Sequence, residues 1–277
     1  MKKTALTLNF ETEIIVVDNA SSDGTSEAIK SRFPDVKLIT RASNNGIAGW
    51  NDGFAVAQFE YLLVLDDDSH IYSGLNEAVA YLKATPAVGI LALQVVDEQL
   101  GWDRHLNPDD AWKDGEQIAG FIGCGAIITK QVYQKIGGFA EWLFVYTHEF
   151  EYAIRCLNAG FKVQFFSQGI VVHRVSNINR SNKRLRVFGT RNEMAIIHKY
   201  FSADKSKYIF RTLLNNLKFV KREGFSAGYY VFKGYLAYLA LKKSIVPTPV
   251  SQHVQDYYAE RFWSTKPIWT NLRNRFN

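Results

Sequence analysis

The sequence has few of the features that mark specialised classes of protein. Its 277 residues include two cysteines, Cys124 and Cys156, which lie far apart and match no metal-binding spacing. This argues against a disulfide scaffold and fits a reducing compartment. No uninterrupted apolar run reaches the ~18 residues that a membrane-spanning helix needs. The run Thr4–Phe10 is too short and too polar for the core of a signal peptide, so we expect none.

The charge is unevenly distributed along the chain. Residues 1–182 carry 15 Lys and Arg against 22 Asp and Glu, a net charge of −7. Residues 183–277 carry 18 against 5, a net charge of +13, which brings the whole chain to +6. The acidic body suggests a metal-dependent site. The basic segment predicts attraction to an anionic partner, either a membrane surface or nucleic acid.

Apolar segments of strand length alternate with helical ones in the first hundred residues. The pattern predicts strands at residues 13–17, 36–40, 61–65 and 88–96, and helices at 26–32, 46–59 and 75–84. This alternation is typical of a parallel sheet with helices on both faces. A polar loop at residues 97–115, with Trp102 and His105, is followed by helices at 130–136 and 149–159 and strands at 162–166 and 170–173. From about Leu185 the pattern is helical throughout.

Three consecutive aspartates, Asp66, Asp67 and Asp68, follow the third predicted strand. Like charges this close destabilise the fold unless a cation neutralises them. Ligands of open α/β sheets bind just outside the carboxyl ends of the strands, so a divalent metal holding a phosphorylated ligand is one interpretation. A solvated acidic turn or helix cap is the other.

Several runs of the sequence resemble one enzyme family. Ile14–Thr25, Asn44–Gly53 and Leu65–Asp68 are similar to the nucleotide-sugar half of family 2 glycosyltransferases of the GT-A fold. Gly123–Phe139 and His148–Val163 are similar to the acceptor half. The resemblance covers roughly residues 11–200, and the motifs stand in the family's order. It implies an α/β, Rossmann-like GT-A fold with a mixed, mostly parallel sheet flanked by helices.

The resemblance assigns the metal site. Asp66 and Asp68 match the two acids of the Asp-x-Asp motif, which would hold Mg²⁺ or Mn²⁺ at the leaving pyrophosphate. Asp68 is the first choice for direct contact, while Asp66 reaches either the metal or the ribose. His173, at the end of a predicted strand, matches a family position that completes the metal shell. Asp67 belongs to the nucleotide-sugar set but points the other way along the chain, so we expect it to be dispensable.

The nucleotide pocket follows in the same way. Asp18 and Asn19 end the first predicted strand, where the family meets the base or ribose, and an asparagine can both donate to and accept from a pyrimidine edge. Asp23 either contacts the ligand or caps the following helix. Asn45 and Gly46 either lie in the loop near the donor sugar or simply begin a helix.

The acceptor half supplies candidates for the general base that deprotonates the attacking hydroxyl. Glu149 falls where the family carries its catalytic Asp, and His148 beside it is the alternative base. Glu151 either binds acceptor hydroxyls or pairs with Arg155, four residues further along the helix. An acidic helix N-terminus favoured by the helix dipole is the non-catalytic interpretation of the group.

One departure from the family concerns the start of the sheet. The family has another strand and helix before the position of Glu13, ending in a loop that lines the base pocket. Residues 2–11 are too few to supply both elements. Either the start is truncated, or the sheet lacks a central strand and the pocket has lost one wall.

The leading hypothesis is a metal-dependent, inverting glycosyltransferase of hexosyltransferase type, most like rhamnosyl- and galactofuranosyltransferases. Its donor would be a UDP- or dTDP-linked sugar, and its acceptor a cell-wall glycan or a lipid-linked precursor. Residues 1–184 would form the catalytic domain. Residues 185–277, basic and aromatic with Phe262, Trp263 and Trp269, would form a helical region that either packs on itself or contacts an anionic membrane.

We expect a cytoplasmic protein, peripheral on the membrane if that contact exists. A catalytically impaired nucleotide-sugar-binding or scaffold relative is the first alternative. A nucleic-acid-binding protein is the second, although the basic residues form no recognised module.

Overall fold

The computed structural model describes residues 8–97, 112–174 and 181–261. Trp102, His105 and the tail aromatics Phe262, Trp263 and Trp269 therefore lie outside the described residues. The chain divides into two compact units, Met1–Arg180 and Ser181–Asn277.

The first unit begins with a small parallel sheet. Strands β1 and β2 pair in parallel, with Val17 opposite Ile39 and Asp18 opposite Thr40. The elements are β1 Ile15–Asp18, α1 Thr25–Arg32, β2 Lys37–Thr40, a 3₁₀ turn at Gly46–Ala48 and α2 Gly49–Val56.

A second, five-stranded sheet forms the rest of this unit, with the strand order β3-β6-β5-β7-β4. Only β5 and β7 pair in parallel; the other three pairings are antiparallel. The sheet is therefore mixed, as expected, but β6 enters between β3 and β5 with reversed direction. The elements are β3 Tyr61–Val64, β4 Ser69–Ser73, α3 Leu75–Ala84, β5 Val88–Asp97, β6 Ala126–Thr129, α4 Lys130–Ile136, a 3₁₀ turn at Glu141–Leu143, α5 His148–Asn158 and β7 Lys162–His173.

Strand β7 corrects one prediction. The two strands predicted at 162–166 and 170–173 are a single strand, Lys162–His173, that bulges in the middle. Its pairing with β5 passes from Phe166 opposite Leu93 to Ile170 opposite Gln94, which leaves residues 167–169 without partners in the register. A bulge of this kind bends a strand without ending it. The polar residues of the bulge interrupt the apolar pattern, and the sequence alone therefore suggested two strands.

Two strand edges relate to the additional strand that the family has before the position of Glu13. Among the described residues, β1 pairs with β2 alone, and β3 pairs with β6 alone. No described strand therefore joins the two sheets, and one edge of β1 and one edge of β3 carry no ladder partner within this part of the chain.

The core of the first unit lies on both faces of the five-stranded sheet. Ile90, Leu91 and Ile127 are completely or almost completely buried, and α3 covers one face with Ala78 and Leu82. Burial on both faces accounts for the continuous apolar runs of β5 and β6, because both sets of alternating side chains leave water. The turn after β3 leads into β4, which pairs with β7, and this pairing brings that turn to the end of β7.

The second unit is helical. Ser181 caps its first helix by accepting a hydrogen bond from the Arg184 amide, 3.1 Å away. The helices are α6 Asn182–Tyr200, α7 Lys205–Leu217, α8 Val220–Glu223, α9 Phe225–Leu241 and α10 Gln252–Arg261. Within the described residues, none of the helices is both long and apolar enough to cross a membrane.

Candidate active site

The aspartate run forms the turn between β3 and β4. The turn is closed by the Ser69 amide, which donates to the Asp66 carbonyl at 3.0 Å. Asp67 is exposed, whereas Asp66 and Asp68 are partly buried. Two of the three carboxylates are therefore held against the protein, and the middle one faces solvent.

His173 lies beside this turn because β7 pairs antiparallel with β4, with His173 opposite Ser69. Its Nε2 atom is 3.0 Å from Asp68 Oδ1. The two atoms are not in hydrogen-bond geometry, and neither has another hydrogen-bond partner among the described residues. Buried polar atoms are rarely left without a partner in native proteins. A divalent cation between these atoms would satisfy both of them.

Cys124 adds a third kind of ligand atom, which sequence reasoning missed. One ligand atom from each of Asp66, Cys124 and His173 lies within 4.8 Å of the others. Cys124 is buried, and its burial followed by the charges of Asp66 and Asp68 raises the pKa of its thiol. Oxygen, nitrogen and sulfur atoms that converge in this way fit a divalent transition metal. Spacing offered no signal, since the three residues are distant in sequence.

The end of β1 organises the neighbouring loop. Asp18 is buried and accepts hydrogen bonds from the Ser21 amide at 2.9 Å and from the Ser26 hydroxyl. These hydrogen bonds lower the pKa of Asp18, which is therefore ionised at neutral pH. Asp23 accepts hydrogen bonds from both the amide and the hydroxyl of Thr25, the first residue of α1.

Asn19 connects β1 to the loop before α2. Its side-chain amide donates to the Asn44 side chain at 3.1 Å and to the Gly46 carbonyl at 2.8 Å. Its carbonyl oxygen accepts from Arg41. Asn45 is exposed at the tip of this loop. Asn19 thus positions the loop that sequence reasoning placed near the donor sugar.

Gly46 brings that loop against the acceptor half of the unit. Its φ is +64°, and a Cβ atom at this position would lie 1.8 Å from the Phe144 carbonyl oxygen. The next residue, Ile47, donates its amide to the same oxygen at 2.8 Å. Only glycine fits so close an approach.

The segment before α5 has an unusual backbone. Phe144, Tyr146 and Thr147 all have positive φ, between 60° and 64°. Non-glycine residues in this region are strained, and such strain is concentrated at functional sites. The three residues lead directly into His148 and Glu149, the first residues of α5.

Gly123 allows the start of α5 to lie close to the candidate metal ligands Asp66, Cys124 and His173. A Cβ atom at Gly123 would lie 3.1 Å from Glu149 Oε1 and 3.2 Å from His148 Nε2. Gly123 precedes Cys124, and the Glu149 charge also contributes to the raised pKa of the Cys124 thiol. The structure therefore brings together the candidate base and the candidate metal ligands.

The two candidate general bases, His148 and Glu149, differ in environment. His148 is buried, and its ring centroid lies 5.7 Å from that of Trp50 and 5.2 Å from that of Phe139. Burial lowers the pKa of His148, so the ring is neutral at pH 7. Its Nδ1 atom lies 3.3 Å from Glu149 Oε2. Glu149 is the more accessible of the two, with 24% of its side chain exposed.

Glu151 is engaged elsewhere. Its carboxylate is fully buried and forms two hydrogen bonds with Arg155, at 2.8 and 2.9 Å. The same guanidinium donates to the carbonyls of Ile136 and Gly138. Of the two roles considered for Glu151, the geometry favours the ion pair.

The fold is that of GT-A glycosyltransferases. Solved structures that share it include S. aureus TarS 1-349, with a TM-score of 0.57 and 16% identity over 87% of this chain and 74% of that one. A mannosyltransferase from Pyrobaculum calidifontis, in complex with GDP-Man and Mn²⁺, gives 0.52 and 19% over 91% and 74%. GalNAc-T7 with UDP, GalNAc and Mn²⁺ gives 0.58 and 14% over 92% and 52%. At these identities the likeness establishes the fold alone.

The sequence itself points to a family. Residues 5–137 match the model described as glycosyl transferase family 2. The matched segment contains Asp18, the aspartate turn and Cys124, whereas Glu149 and His173 lie beyond it. No curated protein sequence matches the chain significantly. The family match and the fold together support glycosyl transfer as the activity.

Proposed function

We propose that the chain is a family 2 glycosyltransferase that moves a sugar from a nucleoside diphosphate sugar to an acceptor hydroxyl, with inversion at the anomeric carbon. One observation carries the proposal: Glu149 and the cluster of Asp66, Cys124 and His173 meet at Gly123 and Cys124. The candidate ligands of the metal that stabilises the leaving group therefore lie close to the candidate base for the acceptor hydroxyl.

Each residue has a role in a single displacement. A divalent cation held by Asp66, Asp68 and His173, with Cys124 beside them, would supply charge neutralisation for the leaving pyrophosphate. Asp18 is ionised and positioned to accept hydrogen bonds from the nucleotide, beside the loop that Asn19 fixes. Glu149 takes the proton of the attacking hydroxyl. His148, neutral and packed against Trp50, lies beside the Glu149 carboxylate, with its Nδ1 atom 3.3 Å from Glu149 Oε2.

The narrower proposals concern substrates. The resemblance of residues 148–155 favours a rhamnosyl- or galactofuranosyl-type transferase, which would use a UDP- or dTDP-sugar and act on a cell-surface glycan or its lipid-linked precursor. We place this reaction in the cytoplasm, at the membrane face that such precursors occupy. Mn²⁺ accompanies the nucleotide or sugar nucleotide in two of the structures that share the fold. It is therefore the first metal to test, with Mg²⁺ second.

The test is turnover with a panel of donors. The chain is incubated with UDP-, dTDP- and GDP-sugars and Mn²⁺, and nucleoside diphosphate release is measured with and without acceptor glycans. Loss of a general base costs ~10²–10⁴-fold in rate, and we expect that loss for Glu149→Gln. Glu141→Gln, at an exposed glutamate of the preceding 3₁₀ turn, is the matched control. If no donor is hydrolysed or transferred by the wild-type chain, the enzymatic proposal is wrong.

A second candidate is a nucleotide-sugar-binding relative without turnover. Such a protein would need only the loop that Asp18 and Asn19 organise at the end of β1, and not a general base. Calorimetry with UDP and Mn²⁺ separates the candidates. Binding that Glu149→Gln leaves unchanged, with no product from any donor, would support the binding protein.

A further inference from the structure

Helix α9 carries an apolar stripe on its solvent side. Phe225, Tyr229, Phe232 and Leu236 are all exposed, and Phe225 is 93% exposed. Their spacing of four, three and four residues places them on one face of the helix. The opposite face contains the buried residues of α9, which are Ala227, Val231, Gly234 and Tyr238. The exposed stripe is therefore additional to the face that packs inside the unit.

Helix α7 also has an exposed apolar face, and its buried face is the more polar of the two. Phe210, Leu214 and Leu217 are exposed on one face, and Phe210 is 61% exposed. The buried face instead contains Thr212 and Asn216, together with Tyr208. A surface helix of a globular protein normally turns its apolar face inward. On α7, Phe210, Leu214 and Leu217 instead face solvent.

The interior of the helical unit is mostly apolar, but it also contains polar groups on the inner side of α7 and around Arg186. The buried Asn216 amide donates to Glu193 Oε2 at 2.8 Å, and burial raises the pKa of Glu193. Arg186 forms two hydrogen bonds with Glu223 and lies over the Phe219 ring, 3.5 Å from its centroid. Polar groups therefore occupy buried positions while the phenylalanines and leucines of the two stripes are exposed, and exposed apolar patches of this kind mark interaction surfaces.

The surroundings of the two stripes are strongly basic. Residues 205–246 contain nine Lys and Arg and a single acid, Glu223. That acid is mostly buried and paired with Arg186 and Arg222. Lys233 lies beside the α9 stripe, with its ammonium nitrogen 4.7 Å from the centroid of the Tyr229 ring. Exposed aromatic side chains flanked by lysines are typical of helices that lie in a membrane interface.

We propose that the exposed faces of α7 and α9 dock onto a lipid bilayer that contains anionic lipids. The aromatic and leucine side chains enter the headgroup region, and the lysines and arginines contact lipid phosphates. The net positive charge of the helical unit argues against a second copy of the chain as the partner of these faces. Residues 181–261 carry 15 Lys and Arg against 5 Asp and Glu, so two such units repel each other. The proposal does not depend on glycosyl transfer.

Flotation of the full chain with vesicles tests the proposal. One set of vesicles contains phosphatidylcholine alone, and the other contains equal parts of phosphatidylcholine and phosphatidylglycerol. We expect binding to the anionic vesicles, weakened by added salt because the basic residues contribute. Each exposed Phe changed to Ser should reduce the partition coefficient at least tenfold, since burying such a side chain stabilises the bound state by that factor or more.

Two variants and a control make the result specific. Phe225→Ser/Phe232→Ser removes most of the α9 stripe, and Phe210→Ser removes the most exposed part of the α7 stripe. These side chains are exposed, so the fold should be retained, and circular dichroism checks this. Tyr72→Ser, at an exposed aromatic of the first unit, is the matched control and should float like the wild type.

Four outcomes would overturn the proposal. The first is no flotation of the wild type, and the second is equal flotation of the stripe variants and the wild type. The third is equal binding to neutral and anionic vesicles, which would contradict the role of charge. The fourth is that another partner takes the surface. Either a concentration-dependent dimer that the stripe variants abolish, or nucleic-acid binding in place of vesicle binding, would show this.

Discussion

The Glu151–Arg155 pair allows a stringent test of how the site is built. Arg155→Met leaves the fully buried Glu151 carboxylate without its two hydrogen bonds, and it also removes the donors to the Ile136 and Gly138 carbonyls. Removing one partner of a buried ion pair costs about 3–5 kcal/mol. We therefore expect the free energy of unfolding to fall by about 3–5 kcal/mol in urea denaturation.

The double variant Glu151→Met/Arg155→Met should recover most of that loss, because no charge is left buried. The coupling free energy from the full double-mutant cycle measures the pair directly. If Glu151 is structural, the folded double variant should still bind UDP and Mn²⁺ and turn over a donor. A double variant that is as stable as the wild type but has no turnover would refute this reasoning and return Glu151 to the acceptor site.

Three further predictions concern the metal cluster and the base. Asp68→Asn should weaken Mn²⁺ binding at least about tenfold in calorimetry, while Asp67→Asn, at the exposed aspartate, should not. Cobalt(II) added to the wild-type chain should produce a thiolate-to-metal charge-transfer band in the near ultraviolet; a Cys124→Ser chain that keeps the band would exclude Cys124 from the cluster. Because burial lowers the pKa of His148, the unfolded chain alone takes up this proton below pH ~6.5, and stability should fall there by up to about 1.4 kcal/mol per pH unit. His148→Phe should reduce that slope in unfolding measured between neutral and mildly acidic pH, and an unchanged slope would show that another group causes it.

Local patterns in the sequence predicted several elements closely. The helices predicted at 75–84 and 130–136 begin and end at those residues in the structure. Both have the apolar spacing of a helix and are bounded by turn-forming residues, such as Gly74 before α3 and Gly137 after α4. Strand β4 was not predicted, because Ser69–Ser73 lacks an apolar pattern. It exists because the end of β7 offers it an antiparallel partner, which is a tertiary effect.

The site was only partly accessible from the sequence. The family resemblance singled out Asp68 and His173, whose side chains lie 3.0 Å apart in the structure. Cys124 was missed because a lone buried cysteine has no distinguishing spacing; only the fold brings it to the aspartates. The sequence likewise predicted a helical pattern from about Leu185, but it could not tell which face of α7 is turned inward. Only the packing of Thr212 and Asn216 in the interior shows that.

The approach of Gly46 to the Phe144 carbonyl limits which substitutions the loop can accept. In a library that randomises position 46, we expect glycine to be the sole residue recovered among stably folded chains, because any Cβ would collide with the carbonyl oxygen. At the neighbouring position 45 the side chain points into solvent, and many residues should be recovered. Substitutions can therefore accumulate at residue 45, while residue 46 must stay glycine to keep this loop against Phe144.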